Sequence, residues 1–189
     1  MRVVLLVLSL GLFAGCGVQS IPKANNEVDA TWAEVQNQYK RRVDLVPNLV
    51  QAVKGYAKHE QATLEGVVNA RARATQVTVD PRNLTPEKLR EFQGAQDGLS
   101  QALGRLMVVA EKYPDLKANE GFRDLQAQLE GTENRIAVAR RRYIDTIKEF
   151  NNLVTVFPTS LTNSLLFKLD KKPQFEAAAA EQAAPQVNF

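Results

Sequence analysis

The 189-residue chain carries 24 Lys and Arg against 21 Asp and Glu, with a single cysteine and a single histidine. One cysteine excludes an internal disulfide framework and a thiolate metal cluster, and one histidine excludes a paired-histidine metal motif. A formal net charge of +3 is a small excess, whereas an electrostatic nucleic-acid binder needs basic residues gathered on one face.

At the N-terminus Arg2 precedes an apolar run from Val3 to Phe13, about eleven residues where roughly 20 are needed to span a bilayer. The run ends in Phe13-Ala14-Gly15-Cys16, which sets small side chains directly before the only thiol. This is the pattern of a lipobox, with Phe where Leu is more usual. Residues 1–15 are therefore expected to be a lipoprotein export signal and Cys16 the residue that is lipidated. With Cys16 modified, no thiol remains for a disulfide, a metal site or a nucleophile. Gly17 follows where Asp commonly retains a lipoprotein at the inner membrane, so the periplasmic face of the outer membrane is expected in a Gram-negative cell. Residues 16–25 read as the lipidated cysteine and a short linker.

Beyond the linker the apolar spacing is helical almost throughout. Val28, Trp32, Val35 and Tyr39 step by four, three and four along one face. That face runs into Pro47, which lacks an N–H and disfavours helical geometry at Val46. Asn48 and Gln51 then resemble a helix start, with a second stripe through Leu49, Val53, Tyr56, Leu64, Val67, Ala70 and Ala74. Thr78 to Arg82 reads as a loop. Thr85-Pro86-Glu87 is a strong start signal for a third helix, with a stripe from Leu89 to Tyr113 that stops at Pro114. Asn119 caps a fourth, whose stripe from Phe122 to Phe157 repeats over about five heptads like a coiled-coil seam. A short apolar turn, Leu161 to Leu169, follows Pro158. Residues 171–189 end in an Ala- and Gln-rich stretch with too little apolar bulk to pack, and read as a disordered tail.

These elements predict an all-α fold: an up-and-down four-helix bundle of long helices over residues 26–170, with a short C-terminal helical segment. The prediction sets a hairpin turn at Asp44 to Pro47. One kinked helix is the competing reading, but it would run roughly 80 Å against roughly 42 Å for the third helix and leave its stripe short of partners.

The chain also resembles the LemA family over about Asn26 to Glu176. The likeness is carried by NQYKRRVDLVPNLV at Asn37 to Val50, VKGYAKHE at Val53 to Glu60, Ala70-Arg71-Ala72, LEGTENRIAVAR at Leu129 to Arg140, and the stretch from Phe150-Asn151 to Phe157-Pro158. The resemblance implies a membrane-anchored helical bundle facing outside the cytoplasm. Many relatives use an uncleaved helix as anchor, and a lipobox marks one branch. It implies no defined biochemical activity and no cofactor. A membrane protein with a TPM domain is implied as a candidate partner.

Among residues that could carry chemistry, His59-Glu60 invites a metal or acid–base reading. A zincin needs a second His four residues on, and position 63 is Thr. Arg140-Arg141-Arg142 and Lys40-Arg41-Arg42 fan around a helix rather than forming a stripe, and lack clustered aromatics to stack bases. Polar residues cluster at two places beside the apolar seams: Arg41, Arg42, Asp44 and Asn48, and Glu133, Asn134 and Arg140. The expected function is a non-enzymatic, lipid-anchored interaction or scaffolding module, with these seven as candidate partner-binding residues and no metal site. A metal-dependent or hydrolytic envelope enzyme, and a lipid or cell-wall glycan binder using Leu161 to Leu169, are the alternatives.

Overall fold

A computed structural model describes residues 18–175. Residues 1–17, with the expected export signal and Cys16, and residues 176–189 lie outside them. Among the described residues all regular structure is helical: α1 (Ser20–Tyr56), α2 (Gln61–Gln76), α3 (Pro86–Ala110), α4 (Pro114–Ala118), α5 (Glu120–Thr155) and α6 (Thr159–Thr162), with a 3₁₀ turn at Pro81–Asn83 and a π turn at Asn163–Phe167. No helix among them is long and apolar enough to cross a membrane.

The start signals at Thr85 and Asn119 hold, whereas the one expected at Asn48 and Gln51 falls inside α1. The Thr85 hydroxyl accepts from the Lys88 N–H at 3.3 Å, and Asn119 Oδ1 accepts from the Phe122 N–H at 2.9 Å. Each side chain thereby satisfies one of the N–H groups that a helix start leaves unpaired.

The hairpin expected at Asp44 to Pro47 is absent: α1 passes through Pro47 and ends only at Tyr56. Proline there removes the N–H that would bind the Val43 carbonyl one turn back. Arg71 on α2 takes that place, its Nε donating to the Val43 oxygen at 3.2 Å. The turn falls instead at Ala57–Glu60, where the Ala57 N–H closes on the Val53 carbonyl at 2.8 Å. The expected linker also shortens, because Ser20 already opens α1 and Ile21 and Ala24 are buried.

The link between Pro47 and Arg71 has a measurable consequence. Pro47→Ala restores the missing donor and is expected to stabilise the protein by about 1–2 kcal/mol in urea denaturation. Arg71→Ala should cost about 1 kcal/mol in the parent and clearly less beside Pro47→Ala, since the restored backbone N–H would then satisfy the Val43 carbonyl. Equal losses in both backgrounds would contradict the coupling.

α1 packs most extensively on α5, and α2 on α3. The α1–α5 register is fixed at three levels. Trp32 meets Tyr143 with ring centroids 5.1 Å apart, Arg42 meets Glu133 at 3.0 Å, and the Tyr56 hydroxyl accepts from Asn119 Nδ2 at 3.2 Å. Each step up α1 matches an equal step down α5, so the helices are antiparallel, and Ser20 lies level with Thr155.

Two apolar clusters fill the interior. One joins Val46, Leu49 and Val53 of α1 to α2, the C-terminal half of α3, and Phe122 and Leu129 of α5. The other joins Val28, Trp32 and Tyr39 of α1 to Leu89 and Phe92 of α3 and Tyr143, Ile147 and Phe150 of α5. α2 contributes nothing to the second. Its place is taken by Val79 from the α2–α3 connection and by Phe175 from the C-terminal segment.

Residues 171–175, where the tail is expected to begin, are thus laid against the helices. Asn163 donates to the carbonyls of Val154 and Leu169 and accepts from the Leu169 N–H. Asn151 exchanges two hydrogen bonds with the Lys172 backbone. These two amides act as stand-in peptide groups that lay the segment back along α5. Phe157, placed at the end of the predicted seam, is 74% exposed because α5 stops at Thr155.

Burial also sets a pH response. The Tyr143 hydroxyl is enclosed with no hydrogen-bond partner among the described residues, and desolvation, reinforced by Asp29, holds its pKa well above the usual phenol value. The folded state therefore keeps this proton more tightly than the unfolded chain. Ionisation of this group leaves stability unchanged below about pH 10 and lowers it as pH rises beyond that value. Tyr143→Phe removes the enclosed hydroxyl and should raise stability by about 1 kcal/mol at neutral pH. It should also flatten the decline above pH 10. A loss of stability at neutral pH in a guanidinium titration would contradict this account.

Candidate functional site

The polar centre of the molecule is Arg42. It sits one turn beyond Tyr39 on the face that α1 turns inward, and it is only 1% exposed. Nη1 donates to Ser100 Oγ at 2.6 Å and to Glu133 Oε1 at 3.0 Å. Nη2 donates to the Gln96 carbonyl at 3.0 Å and to Gln96 Oε1 at 2.6 Å. The amide of Gln96 continues the chain, with Nε2 donating to the Ala74 carbonyl at 3.2 Å. One guanidinium thus links α1, α3 and α5 directly and reaches α2 through Gln96. Its Cζ also stands 5.0 Å from the centre of the Tyr39 ring. Burial raises the Tyr39 phenol above its ordinary value, while the Arg140 and Arg42 charges act in the opposite sense.

The seven candidate partner residues therefore divide. Arg42 is a core residue and cannot meet a partner. Glu133, its side chain 42% exposed, is committed to Arg42. Arg140 is half-buried with its Cζ 4.7 Å above the Phe175 ring, where it pins the C-terminal segment. Arg41, Asp44, Asn48 and Asn134 are exposed. Arg41, Asp44 and Asn48 step by three and four along one ridge of α1. Asp44 also borders a groove of about 310 Å³ toward α2, with Lys40, Arg71 and Thr75. Asn134 lines a shallower groove of about 230 Å³ with Glu34 and Gln38. Farther along α1, an open groove of about 650 Å³ lies against α2, lined by Val50, Lys54, Leu64, Glu65 and Val68.

His59 occupies the α1–α2 turn, not a helix, and is exposed. Among the described residues no three His, Cys, Asp or Glu side chains gather closely enough to hold a metal ion.

A model of the LemA family matches residues 31–189. The chain belongs to the LemA family. Protein LemA of Metamycoplasma hominis is 25% identical over 167 residues, which cover 87% of this chain and 71% of that protein. Magnetosome protein MamQ 2 of Paramagnetospirillum magneticum is 35% identical over 65 residues, 34% of this chain and 24% of the relative. Magnetosome protein MamQ of Magnetospirillum gryphiswaldense is 32% identical over a stretch of the same length. The likeness to the magnetosome proteins thus spans about a quarter of their length.

Several residues that organise this LemA-family chain escaped the sequence reading. Gln96 and Ser100 look like ordinary polar helix residues. Yet Gln96 stands between Phe92 and Leu99 at core spacing, as Arg42 stands between Tyr39 and Val46. A polar residue in a seam position is the signal that both share. Asn151 and Asn163 carry no such signal, because their partners are backbone groups of a segment without regular structure.

Proposed function

We propose that this LemA-family chain is a lipid-anchored protein of the cell envelope whose helical body docks another envelope protein and catalyses no reaction. The supporting observation is placement. Cys16 stands four residues ahead of Ser20, where α1 begins, and α1 buries one face from Ile21 onward. A lipid on Cys16 would hold the body by that end. The far end of α1 would then stand about 55 Å away, at 1.5 Å per residue. In a Gram-negative cell, Gly17 favours the periplasmic face of the outer membrane.

The ridge of Arg41, Asp44 and Asn48 and the adjoining α1–α2 grooves form the docking surface of this reading, with α1, α2, α3 and α5 as its four-helix scaffold. The family resemblance makes a TPM-domain membrane protein the candidate partner. A photo-crosslinking residue at Asp44 or Asn48 in intact cells should capture one reproducible protein, identified by mass spectrometry. Glycan or lipid adducts alone would sink the docking reading. Cys16→Ser should abolish metabolic palmitate labelling and leave an uncleaved precursor. A variant that still takes up label would sink the anchor.

A further inference from the structure

The end of the molecule where α1 begins carries an apolar surface that no part of the described chain covers. α5 stops at Thr155, and the chain turns through α6 and the π turn with Val156, Phe157, Leu161, Leu165 and Leu166 facing outward. Phe157, Leu165 and Leu166 are 74%, 69% and 62% exposed. The cap is not a loose loop. Asn163 is buried beneath it and ties its backbone both to the end of α5 and to Leu169, and Thr162 is buried beside it. The side chains are therefore held outward by a built platform.

The α1–α5 register places this cap at the point where the preceding chain enters. Val18, two residues before α1 begins, is itself half-exposed. Lys23, Lys168 and Lys171 are exposed toward the same end, with Glu27 and Asp170 as exposed acids among them, and Lys168, Asp170 and Lys171 border a groove beside Asn25, Asp29 and Phe150. Lys172 is turned inward to Asp29 at 3.4 Å. Exposed Phe, Val and Leu held on a fixed platform, with lysines nearby, is the composition that enters the boundary between headgroups and acyl chains of an anionic bilayer.

We propose that the Val156 to Leu166 cap seats in an anionic lipid surface, so that α1 and α5 stand away from the bilayer on an apolar foot. This rests on the anchor reading, because Cys16 would deliver its lipid beside the cap. The anchor then supplies attachment, and the cap sets orientation.

The test uses the full chain, purified from membranes and reconstituted in phosphatidylcholine–phosphatidylglycerol vesicles with or without brominated acyl chains. Leu165→Cys carries a thiol-reactive fluorophore at the cap, and Lys58→Cys carries it in the α1–α2 turn. Brominated lipid should weaken emission at position 165 by about twofold or more and leave position 58 unchanged. Equal, weak quenching at both positions in vesicle-bound protein would overturn the proposal. So would a label at 165 shielded from aqueous iodide yet untouched by brominated lipid, because a protein would then cover the cap. The parent chain separates the two readings. A lipidated Cys16 has no free thiol and takes no fluorophore, so labelling of the parent sinks the anchor alone, and quenching at position 165 in a chain that also carries Cys16→Ser then decides the cap.

Discussion

Arg42→Ala is expected to lower stability by about 3–5 kcal/mol, a large part of what holds a domain of this size together. Truncation removes the long stem that fills the space beside Tyr39. It also leaves the buried Gln96 side chain without its donor, whereas Ser100 is exposed and turns to water. Glu133 loses its counter-charge, but at 42% exposure it too turns to water, so most of the cost comes from the buried Gln96 amide and the void. Glu133→Ala should cost less, about 2 kcal/mol, although it leaves a buried cation with only neutral acceptors. Arg42→Met separates volume from charge. It refills much of the space and should recover more than half of the loss, because well-packed apolar replacements of buried ion networks are often tolerated. Trp32 is the only tryptophan, so its fluorescence follows unfolding in urea. A loss below about 1 kcal/mol for Arg42→Ala would show that the guanidinium holds nothing together.

Trp32→Ala is expected to cost a comparable 3–5 kcal/mol, by a different route. The indole is fully buried and touches rings from three other parts of the chain. Its centroid lies 5.4 Å from Phe92 on α3, 5.1 Å from Tyr143 on α5 and 5.9 Å from Phe175 in the C-terminal segment. Its Nε1–H also donates to the Val79 carbonyl at 3.3 Å, a group that Gln36 shares at 2.9 Å. Removing the ring opens a void where no helix of the α2 kind stands by to collapse into it. Trp32→Phe keeps most of the apolar area and loses the donor, so about 1–2 kcal/mol is expected, with Gln36 still holding Val79. Thermal unfolding by circular dichroism reads both variants without the lost fluorophore. Equal midpoints for Trp32→Ala and the parent would refute the packing account.

Much of the helical architecture is legible in the sequence because its signals are local. Thr85-Pro86-Glu87 and Asn119 start helices within a few residues of their own position, and the stripe from Phe122 to Val154 needs only counting. Pro47 misleads for the opposite reason. Its penalty is an unpaired carbonyl at Val43, and what satisfies that carbonyl is Arg71, 28 residues away on another helix. No local rule foresees a donor supplied by tertiary packing. Arg42 misleads differently, because a basic triplet reads as surface charge unless its place in the Val35, Tyr39, Val46 spacing is given priority. The C-terminal segment was illegible because its order comes from Asn151, Asn163 and Arg140, not from its own composition.

The level at which Arg42 crosses the interior also divides it. On one side lie the aliphatic residues of the half that contains α2, and on the other lie the aromatic residues closed by Val79 and Phe175. Apolar packing is continuous within each half, whereas across the boundary it gives way to a few directed hydrogen bonds. Such a division lets each half open on its own, with α1 and α5 as the rods common to both. Loss of Phe175 or of the Asn151 clamp would therefore loosen the end where α1 begins and leave the α1–α2 end folded. Protection against hydrogen exchange would then belong to two cooperative units rather than to one.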